Sequence, residues 1–470
     1  MPMQQFLKFK AKQPGINEDA LRRDDWREVK KKFDAIGAEE QSSRCSQCGV
    51  PFCSYGCPLT NNIPEWLKLT AENEIERAWE LAEATNSFPE ICGRICPQEL
   101  LCEGNCVLKR AEHGAVTIGA VEKYITDTAF ENGWVKPIIP HAELTQSVGI
   151  IGAGPAGLAA AEQLRRMGYQ VMVYDRYDRA GGLMIYGIPN FKLDKKIVER
   201  RNEWLIKSGV KFTFNVNIGS DITMEELQQK HDAILIATGV YKSRDLRLEG
   251  ADKGNIVKAI DFLVENNRRN LGLETPGFDS GLLNAEGKHI VVLGAGDTAM
   301  DCCNTSWRQG AKSVTCMRRS PLSEIAGSKS DREQALQFGT DMRGLTTPVA
   351  YLGGENIEAV RITELNRERD ANGRPTYTPI EGSESEIKAD LVIKALGFSP
   401  ENLPKLFNCA DLETNEWGTV KIGNDYQTSM KGVFAAGDIA RGASLVVWAI
   451  LDGRTAAQNI QTYLANKGDK

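Results

Sequence analysis

Two strand, glycine-loop, helix and strand units in one chain, with eight cysteines crowded ahead of them, predict an α/β protein: two Rossmann-like dinucleotide-binding folds preceded by a small helical domain. The length of 470 residues agrees, since one hydrophobic core stops growing well short of that size and about three domains are expected. The first unit reads as a strand over 148–151, a helix over 156–167 and a strand over 170–174. The second reads as a strand over 289–293, a helix over 298–309 and a strand over 313–317. Such alternation predicts parallel sheets. Residues 1–145 are polar and cysteine-rich, and Ile75, Ala78, Trp79 and Ala82 recur at helical spacing, so this part reads as the helical domain. A proline-containing stretch over 136–140 reads as a linker. A further strand and glycine motif near the C-terminus imply that the first nucleotide fold is interrupted, occupying 146–280 and 397–470 around a second fold inserted at 281–396.

Apolar content of 41%, charged content of 26% and a formal net charge of -6 are ordinary for a globular protein and give no electrostatic reason to expect nucleic acid. The N-terminal residues lack the apolar stretch of a signal peptide, and the longest apolar runs, such as 445–451, are far short of a bilayer span. A cytoplasmic chain with no membrane partner is expected. Twelve cysteines in such a chain point to metal or redox chemistry before disulfides, because cellular thiol buffers keep ordinary cysteines reduced.

The first glycine loop, Gly152-Ala153-Gly154-Pro155-Ala156-Gly157, lies between a strand and a helix, where glycines permit a tight turn and the close approach of a pyrophosphate. The helix N-terminus offers amide donors to that anion. Asp175 ends the next strand, where a carboxylate can accept from ribose hydroxyls. The second loop is Gly294-Ala295-Gly296-Asp297-Thr298-Ala299, with alanine in the third glycine's place. After its second strand comes Arg318-Arg319 instead of an acid. A guanidinium there can pair with the 2'-phosphate of NADPH, although paired arginines can also merely cover a solvated strand end. Opposite charge preferences suggest a flavin nucleotide in the first fold and a nicotinamide in the second.

At this point the sequence resembles the flavoproteins with two dinucleotide-binding domains. The segment over 432–438, ending in Gly437-Asp438, matches the family's late strand that sets an aspartate on the flavin's ribityl chain or pyrophosphate, which implies FAD. Ala237-Thr238-Gly239 and Ala395-Leu396-Gly397 match its two shorter strand-end signatures. Gly181-Gly182-Leu183 and the following loop with Lys192 are expected near the flavin, with a solvated loop lysine as the alternative for Lys192. Many members carry a Cys-x-x-Cys pair beside the flavin; here Cys302 and Cys303 are adjacent on an expected helix and read as buried small residues. Electrons must leave the flavin another way.

The cysteines of the N-terminal part form two runs, Cys45, Cys48, Cys53 and Cys57, then Cys92, Cys96, Cys102 and Cys106, each containing a Cys-Pro step. Two 4Fe-4S clusters are the natural reading, with structural zinc the competitor, since four-cysteine zinc sites also use short spacings. The arrangement resembles the N-terminal domain of dihydropyrimidine dehydrogenase, which implies interwoven runs. In that case Cys45, Cys48, Cys53 and Cys106 hold one cluster, and Cys57, Cys96 and Cys102 hold the other with Glu122 at the position of a non-cysteine ligand. Cys92 is then left over, and a sequential assignment stays open.

Taken together, the chain resembles the small (beta) subunits of bacterial NADPH-dependent glutamate synthases. That resemblance implies NADPH oxidation at FAD and electron delivery to a large (alpha) subunit carrying FMN, where glutamine and 2-oxoglutarate become two glutamates. The same module could serve another partner, such as a pyrimidine-reducing subunit; a zinc-containing scaffold with nucleotide-sensing folds is the reading from a different class. Only four histidines occur, and none stands in a nucleophile or base arrangement, so no catalytic acid or base is assigned.

Overall fold

The computed structural model describes residues 2–325 and 327–468. Stretches with apolar residues three and four apart fold into the helices α1 (Ala35–Ser43), α2 (Ile63–Ala71), α3 (Ile75–Thr85), α4 (Pro89–Ile95) and α5 (Ile118–Glu131). Proline near the start of α2 and α4 costs nothing, because the first amides of a helix have no acceptor within it. Trp66 and Leu67 of α2, Ala78 and Trp79 of α3, and Val121 and Ile125 of α5 form the centre of this part, with α5 packed against the other four.

The first nucleotide fold has β1 (Ser147–Ile151), α6 (Pro155–Arg166), β2 (Gln170–Tyr174), α7 (Lys195–Lys207), β3 (Lys211–Thr213), α8 (Met224–Lys230) and β4 (Ala233–Ile236). A second contains β5 (Ile256–Lys258), α9 (Ala259–Asn270), β6 (His289–Leu293), α10 (Asp297–Arg308), β7 (Ser313–Met317), α11 (Lys329–Gln337) and β8 (Asp341–Arg343). An antiparallel sheet follows, β9 (Thr346–Leu352), β10 (Ala359–Arg369), β11 (Pro375–Pro379) and β12 (Ser385–Lys388), and β13 (Leu391–Lys394) returns to the second fold. Then β14 (Val433–Ala435) and the long α12 (Val446–Gly468) complete the first fold. The strand orders are β14-β4-β1-β2-β3 and β5-β13-β6-β7-β8, parallel throughout, with Val148 opposite Val171 in one and Val292 opposite Cys316 in the other.

The insert is thus larger than the expected 281–396. Strand β5 pairs with β13 inside the second sheet, and Phe262 and Leu263 of α9 are buried in the second core, so the boundary lies upstream of residue 256. A three-residue strand, Ile-Val-Lys, is too short to show alternation in sequence. Where the chain passes between the two folds, Lys242–Ser243 and Phe398–Ser399 pair as a short antiparallel ribbon.

The helical domain and the first fold share one continuous core, running from Trp66 and Ile125 to Ile150 and Leu235, while the second fold has its own. Ion pairs, one of them fully buried, also cross between the helical domain and the first fold. Arg201 of α7 meets Glu90 of α4 at 2.7 Å, and Arg200 meets Asp127 of α5 at 3.0 Å. The N-terminal arm lies along the same junction, where Glu28 accepts from Arg94 at 2.7 Å and from Lys123 at 2.8 Å. Burial would raise the Glu28 carboxyl, yet the Arg94 and Lys123 charges hold it below its ordinary range. No helix among the described residues is long and apolar enough to cross a membrane.

Candidate functional site

Strand β1 ends in the first glycine loop, and the loop's glycines answer to different demands. A Cβ on Gly152, where φ is +107°, would stand 2.4 Å from the Ala237 carbonyl oxygen, and one on Gly157 would stand 2.0 Å from the Gly152 carbonyl oxygen. Both positions are closed by packing. On Gly154 a Cβ would meet nothing within 4 Å, so the loop's bare face looks into open space. That space is a cavity of about 480 Å³, within the size range of small-molecule sites. Gly152, Gly154, Ala156, Asp175, Thr238, Gly239 and Asp438 line it. Gly182 and Gly437 stand just behind, their would-be Cβ atoms 2.9 Å from Gly154 Cα and 2.8 Å from Ala156 Cβ, while Leu183 reaches the wall.

Two oxygens there fit a bound polar group. Among the described residues, Thr238 Oγ1 and Asp438 Oδ1 are buried without a hydrogen-bond partner, a costly state unless a ligand supplies one. Burial pushes the Asp438 carboxyl up to about 7. Asp175 is partly committed elsewhere: its Oδ2 accepts from the Ala153 amide at 2.6 Å and its Oδ1 from the Tyr177 amide at 2.8 Å, bracing the glycine loop as well as facing the cavity. Sequence reasoning missed the group beside it. The Arg176 guanidinium lies 4.8 Å from the Tyr241 ring and 5.3 Å from the Tyr177 ring and pairs with Glu401 at 3.1 Å, all four residues lining the cavity. The Arg-Tyr step directly after Asp175 was the only sequence signal for it.

The second loop repeats the plan. A Cβ on Gly294, where φ is +117°, would stand 2.2 Å from the Ala395 carbonyl oxygen, as Gly152 stands to Ala237; on Gly296 it would meet nothing within 4 Å. Ala299 is fully buried in α10, and Gly397 accepts from the Arg244 amide at 2.9 Å beside the ribbon. Asp297 and Thr298 line the same cavity as the first loop, so the two nucleotide folds open on one space. Arg318 and Arg319 lie outside it, at the end of β7. Arg318 Nε donates to Ser320 Oγ at 3.0 Å, Arg319 is exposed, and among the described residues neither forms an ion pair. Lys192 is not a solvated loop lysine. Its ammonium lies 2.8 Å from Asp301 of α10 and 2.8 Å from Asp331 of α11, on the cavity wall.

The eight clustered cysteines separate into two groups that interleave the sequence runs. Cys45, Cys48, Cys53 and Cys106 surround one small cavity with Pro51, Phe52 and Ile118. Cys57, Cys92, Cys96 and Cys102 surround another with Ile118, Glu122 and Val447. Cys92, left over by the resemblance, therefore joins the second group. Glu122 is there too, accepting from Asn86 Nδ2 at 3.2 Å, its carboxyl pushed up to about 8 by burial. Burial pushes the Cys45 thiol up to about 11 and the Cys57 thiol up to about 12, so thiolates in these cavities need a cationic centre to be stable. The cavities stand in series. Ile95 and Pro97, flanking Cys96, line the nucleotide cavity; Ile118 lines both thiol cavities; and Cys48 and Cys53 of the outer one are partly exposed.

Residues 22–134 match the family described as dihydropyrimidine dehydrogenase domain II, 4Fe-4S cluster, and residues 146–453 match the pyridine nucleotide-disulphide oxidoreductases. The glutamate synthase (NADPH) small chain of Azospirillum brasilense is 53% identical over 466 residues, covering 99% of this chain and 97% of that one. Its namesake from Escherichia coli K12 is 40% identical over 468 residues, covering 98% of each. Among solved structures, Mycobacterium tuberculosis FprA in complex with NADPH shares the two-nucleotide fold, with a TM-score of 0.58 at 19% identity over 69% of this chain and 86% of that one. Matched from end to end by such relatives, the chain belongs to the family of the glutamate synthase (NADPH) small chains.

Proposed function

We propose that this chain is the electron-entry subunit of a glutamate synthase, oxidising NADPH at FAD and passing electrons through two 4Fe-4S clusters to an FMN-containing large subunit that makes glutamate from glutamine and 2-oxoglutarate. One observation carries the reading: a single cavity is bounded by both glycine loops and by the residues flanking Cys96. When bound, the flavin would supply what no side chain here has, acceptance of a hydride with its electron pair and release of those electrons singly, and the clusters would carry the single electrons.

The chain's own part is placement. The amides at the start of α6 and the bare face of Gly154 receive the FAD pyrophosphate, and Thr238 and Asp438 offer their unpartnered oxygens to its polar chain. The start of α10 receives the NADPH pyrophosphate, and Arg318 and Arg319 its 2'-phosphate. Cys45, Cys48, Cys53 and Cys106 hold the outer cluster, and Cys57, Cys92, Cys96 and Cys102 the inner one, with Glu122 as a hydrogen-bonded neighbour.

Purified anaerobically, the protein is expected to show flavin bands on a broad iron-sulfur absorption. With a glutamate synthase large subunit it should oxidise NADPH only when glutamine and 2-oxoglutarate are both supplied. A colourless protein with stoichiometric zinc, or turnover with an unrelated partner alone, overturns the assignment.

A further inference from the structure

We propose that Lys192 is a positioning residue for hydride transfer: it pins α10 across the shared cavity and so holds the two nucleotide sites face to face. The inference rests on the two-nucleotide reading above. Helix α10 begins at Asp297, so Asp301 lies one turn inside it, and Arg308 lies two turns further on the same face. Both meet one loop of the first fold, at neighbouring residues. Asp301 pairs with Lys192 at 2.8 Å, and the Arg308 guanidinium stacks on Phe191 at 3.8 Å. Two contacts two turns apart fix the tilt and rotation of a helix, where one would leave it free to pivot.

The loop is held from its other side. Asn190 Nδ2 donates to the Trp26 carbonyl at 2.7 Å, the Phe191 carbonyl accepts from the Val29 amide at 2.9 Å, and the Asp194 amide donates to Glu28 at 3.0 Å. The N-terminal arm also reaches α10 directly, since Arg308 Nη2 donates to the Ala20 carbonyl at 3.1 Å. By contrast, the covalent connection between the folds is a ribbon of two residue pairs, a hinge rather than a brace. Orientation therefore falls to side chains, and at the cavity wall Lys192 makes the ion pair that crosses from the first fold to α10.

Its chemistry suits the task. The Lys192 side chain is 16% exposed, and those of Asp301 and Asp331 are 8% and 10% exposed. An ammonium facing two carboxylates satisfies all three groups where little water reaches. Without it the two carboxylates would be left buried and uncompensated, a strain relieved by moving α10 and α11 away from the first fold. Arg318 and Arg319 are outside this cavity, so the grip on the NADPH 2'-phosphate would persist. The signature of Lys192 is thus a loss of ring alignment with affinity retained.

The test uses holoprotein carrying FAD and iron-sulfur clusters. In Lys192→Met, single-turnover reduction of the flavin by NADPH should slow by about tenfold to a hundredfold, the size expected for a misplaced reactant. The long-wavelength charge-transfer absorbance of stacked nicotinamide and flavin should fade, amide exchange over 297–308 should quicken, and the NADPH dissociation constant should hold. Lys192→Arg, which keeps the charge, should recover most of the rate and the band. Should Lys192→Met not accumulate, Asp331→Asn, which leaves one carboxylate, should show the same pattern at smaller size. A wild-type rate and band in these variants overturns the proposal, as does a loss of NADPH affinity equal to the loss of rate. Wild-type protein whose flavin NADPH cannot reduce would instead remove the underlying functional reading.

Discussion

The two nucleotide folds part company at the residue following the second strand: Asp175 in one, Arg318 and Arg319 in the other. Asp175 accepts from two amides and would repel a phosphate; the Arg318 guanidinium donates to the Ser320 hydroxyl and, among the described residues, neither it nor Arg319 has a carboxylate partner to give up. Replacing both arginines with alanine should weaken NADPH binding by about 1.5–3 kcal/mol, the range for a hydrogen bond to a charged group, and leave NADH binding nearly unchanged. Titrations with the two dinucleotides check this, and equal weakening of both would place the arginines outside phosphate recognition. At this scale the sequence was legible wherever the requirement is local. Gly152 and Gly294 are demanded by their own turns and by one facing carbonyl each, so their spacing betrays them. Lys192 was ambiguous because its meaning depends on Asp301, 109 residues away, which no local pattern announces.

Among the elements, α7 does the most to bind the helical domain to the first fold. Arg201 Nε and Nη2 donate to the two oxygens of Glu90 at 2.7 and 2.8 Å, and Nη1 donates to Glu83 at 3.1 Å, with the Arg201 side chain only 2% exposed. Arg201→Met leaves the Glu90 carboxylate buried without its partner, and breaking such a pair costs about 3–5 kcal/mol. The urea midpoint for bleaching of the cluster absorbance should fall accordingly. Release of flavin should fall with it, because the helical domain and the first fold share one core; flavin release at the wild-type midpoint would show the two parts to be energetically separate. The long strands and helices of both nucleotide units were legible because four apolar residues between a polar turn and a glycine loop leave few alternatives, as in Ile290, Val291, Val292 and Leu293. The limits of the insert were not. Strand β5 has three residues and gains its place only by pairing with β13, which the chain reaches more than a hundred residues later. The interleaving of the cysteine runs was visible only through resemblance, since spacing alone permits either grouping and the fold decides by bringing Cys106 to Cys45 and Cys57 to Cys92.

Across the whole molecule the three cavities define a direction. The nucleotide cavity touches the inner thiol group through Ile95 and Pro97, the inner and outer groups share Ile118, and the outer group ends at partly exposed Cys48 and Cys53. In the proposed route, electrons therefore emerge where the outer group meets the surface. That surface carries exposed apolar side chains: Val50 is 53% exposed, Phe52 42% and Tyr55 71%, with Arg110 lying 5.6 Å from the Phe52 ring. Exposed apolar and aromatic side chains beside a charged rim mark contact surfaces more often than they mark solvent. That route requires a large subunit close to the outer thiol group, so this patch is where it should sit. Val50→Glu combined with Tyr55→Glu would bury two carboxylates in such a contact while touching neither glycine loop. Reduction of a small-molecule dye by NADPH should then proceed as in wild type. Glutamate formation with the large subunit should drop, at limiting subunit concentration, by an amount corresponding to about 2–4 kcal/mol of lost binding. Undiminished glutamate formation would put the contact on another face and require a different electron outlet.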